Sequence, residues 1–202
     1  MANSSRKTLM DISNIINQQQ LIDYINLGNR VKYLYFWGHR QNQDGSVSKS
    51  CLSQWYVAPF QLDNIEYPTA EHYMMAEKAR LFGDRQILAK IIAAASPGEA
   101  KKLGRLVNSF NQETWLKHRF SIVVRGNLGK FEQNQTVREF LINTNQRILV
   151  EASPRDRIWG IGLEQNHPQA ANPHQWQGLN LLGFALMAVR NILQGSGQLA
   201  DY

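Results

Sequence analysis

Strand-type patterning in this 202-residue chain is confined to residues 31–67 and 147–152, and the stretch between them carries helix signals alone. Val31–Trp37 is rich in β-branched and aromatic residues and predicts a strand. Cys51–Val57 and Phe60–Tyr67 predict two more, the second broken by Asp63-Asn64, and the run RILVEA, Arg147–Ala152, predicts the last. Because strands do not alternate with helices, a doubly wound parallel sheet is disfavoured. The expectation is an α+β fold: a single domain with a small, mainly antiparallel sheet wrapped by several helices.

The helix signals are local and physical. Leu9, Ile12, Ile15, Ile16, Ile22 and Ile25 recur at near-helical spacing, which predicts an amphipathic helix over 10–27 that ends near Gly28. Thr69 can cap a helix running through Phe82, with Gly83 just past its end. Ser96-Pro97-Gly98-Glu99 is a capping box with proline at the first helical position, opening a helix to about Val107. Asn111 caps Gln112–Phe131 in this reading, and Thr136-Val137-Arg138-Glu139 is a second capping box. Asn180–Leu193 is apolar on most sides and predicts a buried final helix.

Composition removes several function classes. A hydrophobic share of 43% supports a packed core. No apolar run approaches the ~18 residues of a membrane helix. The segment Met1–Arg6 leads into polar sequence without the apolar centre and cleavage site of a signal peptide. A single cysteine, Cys51, excludes an internal disulfide and a cysteine-cluster zinc site. These features predict a cytoplasmic protein with no membrane partner. The net charge of +6 is spread along the chain, which suits a solvated surface or a phosphorylated small molecule as well as it suits nucleic acid. Phosphate-loop, dinucleotide, zinc-deaminase and zinc-protease patterns do not occur, so neither a metal nor a cofactor is expected.

Three segments could carry chemistry. In TAEHYMMAEKARLF, Glu71 and Lys78 lie two turns apart on one helical face, with Met74 and Met75 between them. Charged groups on an apolar stripe are costly to bury unless paired or used. The same pattern also reads as an N-terminal carboxylate favoured by the helix dipole, with Lys78 reaching out to water. In ILVEASPRDRIWGIGL, an apolar strand ends in Glu151, and a short loop then holds Asp156, Arg157, Trp159, Gly160 and Gly162. Strand-end loops present functional groups, glycines admit a ligand close to the backbone, and Trp159 offers a stacking face. A tight turn with a core tryptophan fits the same residues. Third, YFWGHR and SQWY place Trp37, Gly38, His39, Arg40 and Trp55 beside a polar loop, where His39 and Arg40 could meet a phosphate.

Taken in order, FWGH (36–39), SQWY and APF (53–60), YPTAEHYMMAEKA (67–79), SPGEAKKLGR (96–105), KF and QN (130–134), LVEASPRDRIWGIGL (149–163) and GLNLLGFALMAVR (178–190) resemble the NADAR, or YbiA-like, family. The resemblance runs from about residue 33 to 193. It implies a domain over 31–195, a helical extension over 1–30 and a tail over 196–202. It further implies a metal-free N-glycosidase acting on phosphoribosylated aminopyrimidine intermediates of riboflavin biosynthesis. The family also suggests two alternatives: a glycohydrolase that removes ADP-ribose from guanine in nucleic acid, and a non-catalytic module that binds ADP-ribose or NAD. The resemblance puts Glu71, Lys78 and Asp156 forward as catalytic residues. It puts Trp37, Gly38, His39, Arg40, Trp55, Glu151, Arg157, Trp159, Gly160 and Gly162 forward as substrate-binding residues.

Overall fold

The computed structural model describes residues 11–202. The expectations that fall on residues 1–10, the leader-free start and the first residue, Met10, of the 10–27 helix, lie outside the described residues. Seven helices and four short strands follow in the order α1 (Gln18–Asn26), β1 (Tyr33–Phe36), β2 (Phe60–Leu62), β3 (Ile65–Tyr67), α2 (Ala70–Leu81), α3 (Arg85–Ile92), α4 (Pro97–Gly104), α5 (Gln112–Gln133), α6 (Gln135–Ile142), β4 (Ile148–Glu151) and α7 (Leu181–Leu193). Among the described residues no helix is long and apolar enough to cross a membrane.

The architecture is α+β, but its strands form two separate pairs. β1 and β4 pair in parallel, with Tyr33 opposite Ile148 and Phe36 opposite Glu151. β2 and β3 form an antiparallel hairpin whose turn residues, Asp63 and Asn64, both have positive φ. Such a primed turn matches strand twist. The parallel direction of the first pair corrects the expectation of a mainly antiparallel sheet. A parallel pair needs a long crossover, and here the whole helical section supplies it.

Other local departures have equally specific causes. The segment 51–57 is not a strand: Lys49–Leu52 is a 3-10 turn that leads into further turns. Its carbonyls find a buried ammonium in place of a ladder, because Lys130 Nζ donates to Cys51 O at 2.6 Å and to Ser53 O at 2.9 Å. The 10–27 helix divides into a 3-10 turn, Ile12–Asn14, and α1, because Asn17 caps α1 by accepting the Gln20 N–H. Thr136 lies inside α6 and does not cap it. Asn134 ends α5 by donating to Lys130 O and Pro59 O, and Glu139 bonds the Gln135 amide. The helix α3, capped by Asp84, has no counterpart in the sequence reading.

Two helices set the core. α7 is buried along most of its length and lies against β4 so closely that a Cβ at Gly183 would sit 2.0 Å from Leu149 O. α2 is enclosed by α3, α4 and α5, and eight of its twelve residues are buried, Glu71 and His72 among them. His72 is held by Thr69 Oγ1 at 2.8 Å and by Ala94 O at 3.1 Å. Glu71, by contrast, keeps one oxygen, Oε1, without a partner. The carboxyl ends of β1 and β4 and the first turn of α2 therefore meet around it.

Candidate active site

Thr69 caps α2 as the sequence predicts, and the cap fixes where the first turn begins. That turn buries Glu71 to 2% exposure, with its backbone N–H bonded to Gln54 O at 3.0 Å and its Oε1 buried without a partner. A buried carboxylate with one oxygen unpartnered is costly, and burial pushes the Glu71 carboxyl up to about 7. The Lys101 ammonium, the polar edge of Trp55 and, more weakly, Arg105 act in the opposite sense, while the Asp156 charge adds to the rise.

A second carboxyl arrives from β4. Glu151 ends the strand, and its Oε2 is also buried without a partner. Burial first, then the charges of Asp156 and Glu71, push it up to about 8. Its backbone is pinned on both sides: the Glu151 N–H donates to Asn180 Oδ1 at 2.9 Å, and its carbonyl accepts the Ile161 N–H at 2.9 Å. The loop between can fold back only because residue 160 is glycine, where a Cβ would meet Glu151 O at 2.8 Å. Asp156 shapes the same loop, with Oδ1 accepting the Ile158 and Trp159 N–H groups at 2.9 and 2.8 Å. Gly162 has φ +71 and sits against Gln177 and Arg157.

Glu71, Glu151 and Asp156, from α2, β4 and the following loop, thus interact directly through their charges. Trp55 joins them and in turn carries the Lys101 ammonium 5.8 Å from its ring and the His39 ring at 5.4 Å. Beyond His39 the surface opens. Trp37, Gly38, His39 and Arg40 line a depression of about 380 Å³ with Ser48, Lys49 and Ser50. Trp37, 57% exposed, also borders a smaller hollow of about 170 Å³ beside Ala152 and Glu164. Trp159 is half-buried and packs against the core.

Two of the residues singled out in the sequence are engaged elsewhere. Lys78 Nζ donates to Gly104 O at 2.7 Å and lies over the Phe110 ring at 4.4 Å. Two turns of helix separate it from Glu71, and it is absent from the charges that set the Glu71 and Glu151 protonation. Arg157 is exposed and reaches Gln177 at 3.3 Å.

Sequence reasoning passed over Lys101 and the residues that hold Trp55 in place. Lys101 follows a capping box and precedes Gly104, a position where a Cβ would overlap Met75, so α4 lies tightly on α2. That i, i+3 relation to a packing glycine was the available signal. Lys130, fully buried, and Asn127, which donates to Gln54 Oε1 at 2.7 Å, anchor the 51–55 segment to α5.

Comparison with known proteins places the chain in a family. The chain is 42% identical over 164 residues to an N-glycosidase of Acanthamoeba polyphaga mimivirus, covering 79% of this chain and 95% of that protein. It is 32% identical over 141 residues to the chloroplastic riboflavin biosynthesis protein PYRR of Zea mays, covering 66% of this chain and 21% of that protein. The NMR structure of the Escherichia coli protein YbiA superimposes with a TM-score of 0.65 at 26% identity, covering 82% of this chain and 87% of that one. The NADAR domain itself matches residues 35–194, and the chain belongs to that family.

Proposed function

We propose that this chain is an N-glycosidase that hydrolyses the bond between a ribosyl carbon and a base nitrogen, and that its substrate is a phosphoribosylated aminopyrimidine of the riboflavin pathway. The observation that carries the reading is the pair of buried carboxyls, Glu71 and Glu151, each with an unpartnered oxygen and each raised by burial. Relatives named N-glycosidase support the reaction class, and the maize riboflavin protein supports the substrate class.

Breaking a C1′–N bond builds positive charge on the sugar and leaves electrons on the departing base. A fixed carboxylate stabilises the first and an acid must protonate the second. With its group held at about 8, Glu151 carries a proton at neutral pH and is the donor to the leaving base. Glu71, held at about 7 beside Lys101, supplies the carboxylate next to the developing cation. Asp156, with Oδ1 engaged by two backbone N–H groups, fixes the loop and acts on both carboxyls through its charge. Trp55 or Trp37 offers the stacking face for the base, and Arg40 and Lys49 suit the phosphate. Water attacks the sugar once the base leaves, and Glu71 can accept its proton.

The test is to incubate the purified protein with the phosphoribosyl aminopyrimidine and assay released ribose 5-phosphate. In parallel, an oligonucleotide carrying ADP-ribosylated guanine is assayed for ADP-ribose. Release of ribose 5-phosphate alone is expected. Release of ADP-ribose alone overturns the substrate assignment, and binding without either product overturns the reaction.

A further inference from the structure

The parallel pair has two ends. The carboxyl ends of β1 and β4 carry the site described above. At their amino ends Lys32 O accepts the Ile148 N–H, and a polar cavity of about 520 Å³ opens beneath the turn Asn145–Arg147. Arg190, from the last turn of α7, lines it while only 3% exposed.

We propose that this cavity is a second anion site, built to take a phosphate group. The first ground is the state of Arg190. Among the described residues its hydrogen bonds both start from Nη1, to Thr144 Oγ1 at 2.7 Å and Arg147 O at 3.0 Å. No described carboxylate pairs with it, and no hydrogen bond to a described residue engages Nη2 or Nε, which together form a planar donor edge. A buried guanidinium without an anion is costly, and burial alone lowers its group to about 10. The edge it leaves free matches the fork that binds phosphate.

The second ground is the wall around it. Amide and hydroxyl side chains of Asn145, Gln146, Gln194 and Ser196 line the same cavity. An adjoining cavity of about 380 Å³ shares Ile12, Asn145 and Gln146, and adds Arg30, Lys32 and Arg147. Among the described residues four cations therefore line the two adjoining cavities, against one carboxylate, Asp11. Asp11 Oδ1 already caps a turn through the Ser13 N–H at 3.0 Å. A basic, hydrogen-bonding recess with a buried guanidinium edge selects a compact dianion over chloride.

The experiment follows backbone amide NMR shifts of the full chain during titration with inorganic phosphate and with diphosphate, at constant ionic strength against sodium chloride. Saturable shifts are expected at Asn145–Arg147 and Asn191–Ser196. Affinity should fall about tenfold or more in Arg190→Lys and in the surface double variant Lys32→Ala/Arg147→Ala. That double variant should keep full glycosidase rate, since neither side chain touches the carboxyl cluster. Shifts confined to residues 37–50 and 151–160, or shifts that follow ionic strength without saturating, overturn the proposal. If Arg190→Lys fails to fold, the double variant decides alone, and unchanged affinity there overturns it.

Discussion

The Asn180 side chain accepts the Glu151 N–H at 2.9 Å and donates from Nδ2 to Leu149 O, also at 2.9 Å, so one amide clamps the end of β4 to the start of α7. Asn180 is fully buried and holds a left-handed backbone, φ +52, which asparagine tolerates better than most residues. Asn180→Ala leaves a strand N–H and C=O unsatisfied and strains the turn. It is expected to cost about 2–4 kcal/mol, read as a fall in the urea midpoint. The asparagine therefore sets both the fold and the position of Glu151.

The buried carboxyls predict a pH-dependent stability of definite sign. Both are raised above the unfolded carboxyl value, so the folded state holds their protons more tightly. The folded protein loses stability as pH rises from the ordinary carboxyl range through about 7 and 8, because ionisation must then occur in a buried place. Glu71→Gln should accordingly raise stability at pH 8 by up to about 3 kcal/mol and leave it nearly unchanged at pH 4. Denaturant melts of both proteins at the two pH values check this, and equal effects at both pH values would contradict the assignment.

Lys101 is the largest influence holding Glu71 ionised against burial. Lys101→Met should move the acid limb of the pH–rate profile upward, and the alkaline limb, set by Glu151, upward as well but by less, because Lys101 is the smallest of the influences on Glu151. The wild-type profile should be narrow and centred between about 7 and 8, as the two carboxyls titrate as a coupled pair. Rates across pH 5–10 for wild type and variant read both limbs.

What the sequence disclosed was mostly local. The Thr69 cap, the Ser96 cap, the Asn111 cap and the buried α7 depend on a few neighbouring residues, and the structure forms each of them, with Glu99 reaching back to the Ala95 N–H and not to that of Ser96. The segment 51–57 defeated pattern reading because its carbonyls are satisfied by Lys130, seventy-nine residues away from Cys51. The strand direction was equally hidden, since alternation says which face is buried and nothing about parallel or antiparallel pairing. In the site, Glu71 and the Glu151–Asp156 loop were visible as costly groups in constrained places. Lys101 was not, because its role arises only when α4 lies across α2 at Gly104.

Lys78 illustrates the converse. Its spacing from Glu71 suggested a shared reaction, yet its ammonium closes the carboxyl end of α4 and rests on Phe110. Lys78→Met should keep the turnover within about threefold and lower stability by about 1–2 kcal/mol, the scale of one charged hydrogen bond with a cation–ring contact. Steady-state rates and a thermal melt of the variant check both halves.

The central claim is that an ionised Glu71 stabilises a cationic sugar and that its shape alone is not enough. Glu71→Gln keeps the side-chain volume and removes the charge. The most direct measurement is single-turnover release of ribose 5-phosphate by wild type and Glu71→Gln, with substrate binding measured on the same samples. The account predicts unchanged binding and a rate lower by about 10²–10³-fold. A variant that stays folded and releases ribose 5-phosphate within a few-fold of the wild-type rate would contradict it.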